Sequence, residues 1–277
     1  MKAAPFEYER PGDLDAAIAL CSHTDVVAKI LAGGQSLGPM LNLRLAQPDL
    51  LVDITHLAEL KRIEESRDAI TLGACITHAD IEDGRVPDVT QGALPEVARD
   101  IAYRAVRNRG TIGGSLSHAD PAADWISCLA AMGAEVLMHG PSGRRALAVN
   151  ALMTGAFETA LDIGEVVEAV RLPRFSASAR WGYCKIARKT GEMAQAIGAV
   201  LHDPERGVFR AVLGATESRP VVFADAAQLL PKRRLDPSDV DGGIAVQELQ
   251  AVGMIDAIDQ RLHVVALKRA IARAAAS

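Results

Sequence analysis

The sequence predicts an α+β fold, in which strand–helix units come first and an antiparallel sheet with helices comes last. The apolar run 50–54 follows a glycine loop and a short helical segment, which makes a strand–loop–helix–strand unit. Two further runs, 195–202 and 208–216, flank a turn and are typical of antiparallel strands. Three helical patterns close the chain, near 222–230, 244–251 and 260–275.

Length and composition limit the class of protein. The chain has 277 residues, of which 49% are hydrophobic, so it is long enough for two domains with separate cores. Its net charge of −5 gives no indication of nucleic acid as a partner. Neither a membrane-spanning apolar run nor an apolar signal core occurs, so we expect a cytoplasmic protein.

Cysteine and histidine spacing gives no indication of a metal centre. The four cysteines, Cys21, Cys75, Cys128 and Cys184, lie far apart and form no CxxC pair. Buried free thiols are therefore predicted, with no iron–sulfur cluster held by this chain. The seven histidines include no HxH or HExxH pair, so no metal site is expected.

The first elements lead into a glycine loop. Asp13 is a predicted helix cap, with Leu14, Ala17, Ile18 and Cys21 on one apolar face of the helix. A buried strand is predicted over 26–31, and a short helix is predicted from Pro39. Between them lies a loop that differs from a GxGxxG fingerprint and has no lysine after the glycines. We interpret it as a different kind of diphosphate cradle.

The middle of the chain carries strands and basic helix ends. A strand is predicted over 69–74, and Thr77 is expected to cap a helix that leaves His78 on the surface. Helical spacing over 94–106 delivers Arg104, Arg107, Asn108 and Arg109 to the next loop. These arginines are expected to be solvated or paired with acidic neighbours, while a diphosphate or a partner subunit is the alternative.

A second glycine loop is the centre of the sequence. Residues 110–124 contain three glycines in five residues, then hydroxyls and two carboxylates. Glycine backbone can approach a ligand closely, and free N–H groups can hold an anion. Pro121 suits the first turn of a helix, Asp120 its cap, and Asp124 a bond to a hydroxyl or to the loop. A tight turn with a capped helix is the plain alternative, but two such loops favour a ligand with two phosphates.

The remaining elements set the predicted division of the chain. Three strands are expected over 134–139, 144–149 and 166–172, the first two as a hairpin. The short polar segment 174–180 marks the predicted boundary. Domains are therefore predicted at 1–175, with subdomains of about 1–55 and 56–175, and at 176–277.

The two loops resemble the FAD-binding signatures of one family, the medium subunits of molybdenum hydroxylases. That family includes the flavoproteins of carbon monoxide dehydrogenase and quinoline 2-oxidoreductase and the middle domain of xanthine dehydrogenase. The resemblance covers essentially the whole chain. Its motifs are Ala32-Gly33-Gly34-Gln35-Ser36-Leu37, Thr111-Ile112-Gly113-Gly114-Ser115 with Asp120-Pro121 and Asp124, Phe6-Glu7-Tyr8, Leu43-Arg44-Leu45, Arg107-Asn108, Arg261 and Arg269-Ala270.

The resemblance implies a fold and a role. The fold is an FAD-binding domain of two α/β subdomains (PCMH-type), followed by a smaller C-terminal domain of antiparallel sheet plus helices. The role is electron transfer through non-covalent FAD. A small subunit with two [2Fe–2S] clusters would supply the electrons, and a large molybdopterin subunit would hydroxylate the substrate. The implied assembly is a dimer of heterotrimers, and the final electron acceptor is external.

The resemblance also assigns residues to the cofactor. The diphosphate would lie against the two loops, Ile101, Ala102 and Val167 would pack near the flavin, and Lys185 would place its ammonium beside the ring. Asp120 and Asp124 would order the second loop and hold polar groups of the cofactor. The implied FAD-binding residues are Ala32, Gly33, Gly34, Gln35, Ser36, Leu37, Ile101, Ala102, Thr111, Gly113, Gly114, Ser115, Asp120, Asp124, Val167 and Lys185.

Departures from the family pattern are few. Ser115 stands where relatives often have asparagine, and Met193 stands where many have a tyrosine that can shield the flavin. No catalytic residue is predicted, because Ser36, Ser115 and His118 lack a GxSxG elbow and a group that orients the histidine.

Two alternatives remain open at this point. A self-sufficient FAD-dependent oxidase or reductase of related fold would need its own substrate pocket. Its covalent form needs a histidine or cysteine near the first loop, and none occurs between Ile30 and Pro48. An assembly module that has lost its cofactor is disfavoured by the intact glycines.

Overall fold

A computed structural model describes residues 2–277, and Met1, the first residue of the predicted N-terminal subdomain, lies outside the described residues. The chain begins with a three-stranded parallel sheet in the order β1–β3–β2. Its strands and helices are β1 (Glu7–Glu9), α1 (Leu14–Cys21), β2 (Ala28–Leu31), α2 (Leu37–Asn42) and β3 (Leu50–Asp53).

Strand β3 is buried along its whole length, as predicted. Strand β2 is not the buried strand that was predicted over 26–31: it starts at Ala28, and Val27 is 57% exposed. The reason is its position at the edge of the sheet, where one side of the strand lines a cavity. Helix α1 follows the prediction, since Asp13 Oδ1 accepts the N–H of Ala16 at 2.8 Å.

A second sheet of five antiparallel strands follows in the order β4–β5–β10–β6–β7. The predicted strands over 69–74, 134–139, 144–149 and 166–172 are all present, with ends shifted by a residue or two. The strands are β4 (Ile63–Glu65), β5 (Ala69–Gly73), β6 (Glu135–Gly140), β7 (Gly143–Ala148) and β10 (Val166–Pro173), and a small hairpin pairs β8 (Met153–Gly155) with β9 (Glu158–Thr159).

Six helices belong to this region, and all except the one at Arg104–Arg107 contribute side chains to one buried core that includes Trp125. They are α3 (His78–Glu82), α4 (Ala93–Asp100), α5 (Arg104–Arg107), α6 (Ile112–His118), α7 (Asp124–Met132) and α8 (Val149–Leu152). The prediction of a single helix over 94–106 was wrong, because the structure has two helices in this segment. It is divided into α4 and α5, because Ala102 lies in the left-handed region with φ of 43°.

The start of α7 also differs from the prediction. The helix begins at Asp124 with Ala123 as its cap residue, so Pro121 is not in its first turn and Asp120 does not cap it. Instead, Asp120 Oδ1 accepts the N–H of Ala122 at 2.9 Å within the preceding turn. This short-range bond offers the backbone a turn in place of a helix.

The C-terminal part is a four-stranded antiparallel sheet in the order β11–β12–β13–β14, covered by the long last helix. A helix was predicted near 222–230, but a strand and a single 3₁₀ turn (Ala226–Gln228) occupy this region. The other two helical patterns are confirmed. The elements are β11 (Arg180–Ile186), β12 (Ala196–Asp203), β13 (Val208–Gly214), β14 (Val221–Phe223), α9 (Gly242–Ala251) and α10 (Ala257–Ala276).

The state of the cysteines agrees with the prediction of free thiols. All four cysteines are free, and three are buried, while Cys21 is half-buried. Among residues 2–277, no helix is both long enough and apolar enough to cross a membrane.

Candidate functional site

A cavity of about 790 Å³ lies between the two glycine loops. Its volume falls within the range of small-molecule and cofactor sites, roughly 300–1,000 Å³. Every residue that the sequence assigned to cofactor binding lines it. These residues are Ala32, Gly33, Gly34, Gln35, Ser36, Leu37, Ile101, Ala102, Thr111, Gly113, Gly114, Ser115, Asp120, Asp124, Val167 and Lys185.

The first loop presents a row of free backbone donors. The N–H groups of Gly33, Gly34, Gln35, Ser36 and Leu37 have no hydrogen-bond acceptor within residues 2–277. Gly34 has φ of 71°, a left-handed conformation that glycine adopts without strain. Successive N–H groups in such a turn form a concave site for an anion.

The carbonyl groups of the same loop are used inside the protein. Gly34 O accepts the N–H of Gly38 at 2.9 Å, and Ser36 O accepts that of Met40 at 3.2 Å. The Gln35 side chain donates to Gly33 O at 3.3 Å. These bonds fix the loop at the start of α2, so its donors are held in place without a ligand.

The prediction of free backbone N–H groups was wrong for most of the second loop. Ile112 N donates to Ile76 O at 3.0 Å, Gly113 N to Ala74 O at 2.9 Å, and Ser115 N to Thr111 O at 3.0 Å. Gly114 N donates to the Thr111 hydroxyl at 3.1 Å. Because each of these four donors already has a partner, this loop offers mainly small residues and the Ser115 hydroxyl, and of the N–H groups from Thr111 to Ser115 only that of Thr111 has no acceptor within residues 2–277.

The two loops are in direct contact. A Cβ at Gly33 would overlap the backbone carbonyl of Arg109, just before the second loop. A Cβ at Gly114 would lie 2.8 Å from the Thr111 hydroxyl and 3.7 Å from Ala32 Cβ. The glycines therefore let the loops meet and form one continuous wall.

A buried ion pair lies at another part of the cavity wall. Lys185 Nζ on β11 is 2.9 Å from Asp124 Oδ2 at the start of α7, and the two side chains are 9% and 6% exposed. The Tyr183 hydroxyl donates to the other carboxylate oxygen of Asp124. Burial raises the pKa of Asp124, against the opposing effect of the Lys185 ammonium and the Tyr183 hydroxyl.

This arrangement confirms one part of the prediction for Asp124, namely a bond to a hydroxyl. The sequence did not indicate Tyr183. The alternation along β11 could have shown it, because Tyr183 and Lys185 are two residues apart and therefore point to the same face of the strand.

The turn between α4 and α5 is held by two cations. Lys185 Nζ also donates to Asp100 O at 3.1 Å. Arg107 Nη1 donates to Ile101 O at 3.0 Å and to Ala102 O at 2.9 Å. The expectation that Arg104 and Arg107 pair with acidic neighbours is confirmed, since both bind Glu82 and Arg104 also binds Asp83.

The prediction that His78 lies on the surface was wrong. It is 5% exposed, and its Nδ1 accepts the indole N–H of Trp125 at 3.0 Å. Burial lowers the pKa of His78 to about 4, and the nearby Arg107 charge adds to this effect. A neutral His78 therefore supports the second loop from behind, where its backbone N–H donates to Gly110 O.

Further lining residues were not predicted. They share small or apolar side chains from segments far apart in the sequence, so no local motif marks them. They include Cys21, Ala28, Ile30, Met40, Cys75, Leu161, Ile163, Gly164 and Val166. Met193, which the family comparison of the sequence placed at the flavin, also lines the cavity, together with Gly191 and Glu192.

The residues present fit FAD. The first loop supplies free donors for a diphosphate, most of the remaining lining residues are small or apolar, and Lys185 supplies a buried cation. The thiols of Cys21 and Cys75 line the cavity, and burial raises the pKa of each to about 11, so neither is an activated nucleophile. Within the described part of the chain, no group of three or more His, Cys, Asp or Glu residues could hold a metal ion.

A cavity of this size with a row of free backbone donors is typical of proteins that bind a phosphate-containing cofactor. Residues 4–175 match the family described as FAD binding domain in molybdopterin dehydrogenase, and the chain belongs to that family. It is an FAD-binding medium subunit of the molybdenum hydroxylase type, within the oxidoreductases, and molybdopterin and iron–sulfur clusters belong to other subunits of such complexes.

Known proteins resemble the chain over most of its length. The carbon monoxide dehydrogenase medium chain of Hydrogenophaga pseudoflava is 38% identical over 196 residues, which is 71% of this chain and 68% of the relative. The nicotine 6-hydroxylase medium subunit of Paenarthrobacter nicotinovorans is 34% identical over 240 residues, covering 86% and 84%. A chain in a solved structure of carbon monoxide dehydrogenase from Hydrogenophaga pseudoflava, which lacks the Mo-pyranopterin moiety of its cofactor, has a TM-score of 0.83 and 32% identity and covers 100% of this chain and 99% of that one.

Proposed function

We propose that this chain is the electron-transfer subunit of a molybdenum hydroxylase. It takes electrons from the [2Fe–2S] clusters of a small subunit and passes them to an external acceptor, while a large molybdopterin subunit hydroxylates the substrate. The proposed assembly is a dimer of heterotrimers in the cytoplasm. Bound FAD supplies the redox group that carries these electrons.

The observation that carries this proposal is a cofactor cavity without residues for substrate chemistry. The buried charged side chains that line it already have partners: Lys185 and Asp124 bind each other, and Glu165 binds Arg145. The His118 ring packs against Phe157 in a tilted arrangement, with 5.2 Å between centroids, and makes no hydrogen bond within residues 2–277. No lining serine has a histidine and an orienting group beside it, so the cavity has no activated serine nucleophile. The Nδ1 atom of the lining His78 is occupied by the Trp125 indole N–H.

In this proposal the first loop holds the diphosphate, and the part of the cavity wall that contains Lys185 binds the flavin. The free N–H groups of residues 33–37 suit the anion, and the ammonium of Lys185 favours a reduced, anionic ring. Asp124 and Tyr183 position that ammonium. The division at residue 175 stays a proposal, and Lys185 is then the contribution of the C-terminal domain to the site.

Exposed apolar side chains support a contact with partner subunits. Ile163 and Met193 line the cavity and are 74% and 54% exposed. Other exposed side chains adjoin lining residues in sequence or by ring contact, namely Leu45, Tyr103 and Phe157. An exposed apolar region of this kind marks a protein interface on most soluble proteins. We propose that the electron-donating subunit covers it.

The test compares the isolated chain with the assembled complex. The chain expressed alone should bind one FAD, accept electrons from dithionite, and oxidise no heterocycle, aldehyde or carbon monoxide. Co-expression with the small and large subunits should restore reduction of the flavin by substrate, followed at the visible absorption bands. Reduction of the flavin by substrate in the isolated chain would disprove the relay and favour a self-sufficient oxidase.

A further inference from the structure

The turn that connects α4 and α5 forms part of the cavity wall in a strained conformation. Ile101 and Ala102 both line the cavity, and Ala102 has φ of 43°. A left-handed conformation is unfavourable at a residue other than glycine, so neighbouring contacts must hold it. The turn contains no proline or glycine that would set its shape.

The guanidinium of Arg107 supplies those contacts. One nitrogen, Nη1, donates to the carbonyl groups of both Ile101 and Ala102, at 3.0 and 2.9 Å. The other edge binds Glu82 in bidentate fashion, with Nε to Oε2 at 2.7 Å and Nη2 to Oε1 at 3.0 Å. Bidentate charged pairs of this kind fix both position and orientation.

Peptide geometry then sets the direction of two N–H groups. In a trans peptide the C=O and the next N–H point in opposite directions, and no cis bond occurs among the described residues. Because the carbonyls of Ile101 and Ala102 point to Arg107, the N–H groups of Ala102 and Tyr103 point away from it. Neither N–H has an acceptor within residues 2–277.

We propose that Arg107 is a positioning residue for the cofactor: it turns the carbonyls of Ile101 and Ala102 out of the cavity wall, so that backbone donors and not acceptors remain available beside the flavin. The inference rests on the proposed placement of FAD in this cavity. Arg107 itself does not line the cavity, so it acts through the turn.

Arg104 provides a matched comparison in the same ionic network. It binds Glu82 and Asp83, as Arg107 binds Glu82, but it makes no hydrogen bond to the Ile101–Ala102 turn. Its side chain is 47% exposed, whereas that of Arg107 is 11% exposed. If both arginines act only in the ionic network, their substitution should have similar effects on FAD binding. If Arg107 acts on the cofactor site, only its substitution should weaken FAD binding.

The experiment uses the full chain, stripped of flavin and titrated with FAD, with binding followed by quenching of flavin fluorescence. Arg107→Met keeps most of the side-chain stem but removes all donors, and we expect its Kd for FAD to rise about tenfold, equivalent to 1.4 kcal/mol. The visible absorption spectrum of its bound flavin should shift toward that of free FAD. Arg104→Met should bind FAD with the wild-type Kd and spectrum.

Arg107→Lys keeps a charged donor and tests the proposal if Arg107→Met fails to fold. It should give a Kd between those of the wild type and Arg107→Met, with the spectrum partly restored. Wild-type Kd and spectrum in either folded Arg107 variant, or equal changes in the Arg104 variant, would overturn the inference.

A third variant separates this inference from the placement of the cofactor. Gly114→Val puts a branched side chain between the two loops and should abolish FAD binding. If Gly114→Val binds FAD normally, the proposed site is wrong. If it loses FAD while Arg107→Met binds as the wild type does, only the role of Arg107 is wrong.

Discussion

The two glycine loops are similar in sequence, but their backbone N–H groups are used differently in the structure. Five successive N–H groups of the first loop, from Gly33 to Leu37, have no acceptor in the described chain. In the second loop, the N–H groups from Ile112 to Ser115 all bind protein oxygens. The first loop therefore has the donors that we propose for the diphosphate, whereas these N–H groups of the second loop are used within the protein.

The difference shows that glycine content alone does not identify an anion site. In the first loop, glycine permits a left-handed turn that leaves donors free, whereas in the second it permits close packing on Ala74 and the first loop. The fate of each backbone N–H separates the two roles, because every buried donor needs a partner from the protein or from a ligand.

The largest effect is expected where the two loops touch. Gly33→Ala places a methyl group against the Arg109 carbonyl, which should force the loops apart, abolish FAD binding and cost roughly 1–3 kcal/mol of stability. Gly38→Ala is the matched control, because nothing lies within 4 Å of its added Cβ. Flavin content after dialysis and urea denaturation measure the two effects. Normal flavin content in Gly33→Ala would mean that contact between the loops is not needed for the cradle.

A pH effect is expected from the support of the second loop. The pKa of His78 is about 4 in the folded chain, below its ordinary value of 6.5, because of burial. A lowered histidine pKa contributes stability above pH 6.5 that is lost as pH falls toward 4, at about 1.4 kcal/mol per pH unit in the centre of that window. Urea denaturation at pH 6 and pH 5 should show this loss in the wild type.

The control for this effect is His78→Gln, which keeps an acceptor for the Trp125 indole but does not titrate. Its stability should fall less between the same two pH values, by about 1 kcal/mol or more. Equal slopes for the two proteins would show that His78 does not couple folding to pH.

The smallest effects should separate two hydroxyls of the second loop. Thr111→Val leaves Gly114 N without its cap and should cost about 0.5–2 kcal/mol of stability. The Ser115 hydroxyl has no partner in residues 2–277, so Ser115→Ala should change stability by less than about 0.5 kcal/mol and raise the Kd for FAD only a few-fold. Denaturation and FAD titration on both variants measure this. Equal losses of stability would contradict the division between internal cap and ligand contact.

Sequence patterns predicted most of the fold, and they failed where tertiary contacts decide local structure. The buried strand β3 and four strands of the five-stranded sheet were predicted, whereas the fifth, β4, was not. The break at Ala102 depends on Arg107, five residues along the chain, and on Glu82, twenty residues away. Neither contact leaves a local signal, so periodicity continued the helix through the turn.

The site was predicted through motifs, with a similar limit. The lining glycines and Lys185 are marked by the family resemblance, and all of them meet at one cavity. The buried position of His78 follows from its contact with Trp125, 47 residues away, which a single helical turn cannot indicate. Burial of a polar side chain depends on a distant partner, and such partners are found only in three dimensions.

The exposed apolar side chains around the cavity have a consequence for how the protein is made. Leu45 and Ile163 are 72% and 74% exposed, so a copy of the chain without its partners exposes apolar surface that favours aggregation. Such an orphan copy is a target for chaperones and proteases, and its abundance would then follow the supply of the other subunits. Synthesis of this chain in fixed proportion to its proposed partner subunits is the arrangement that this surface favours.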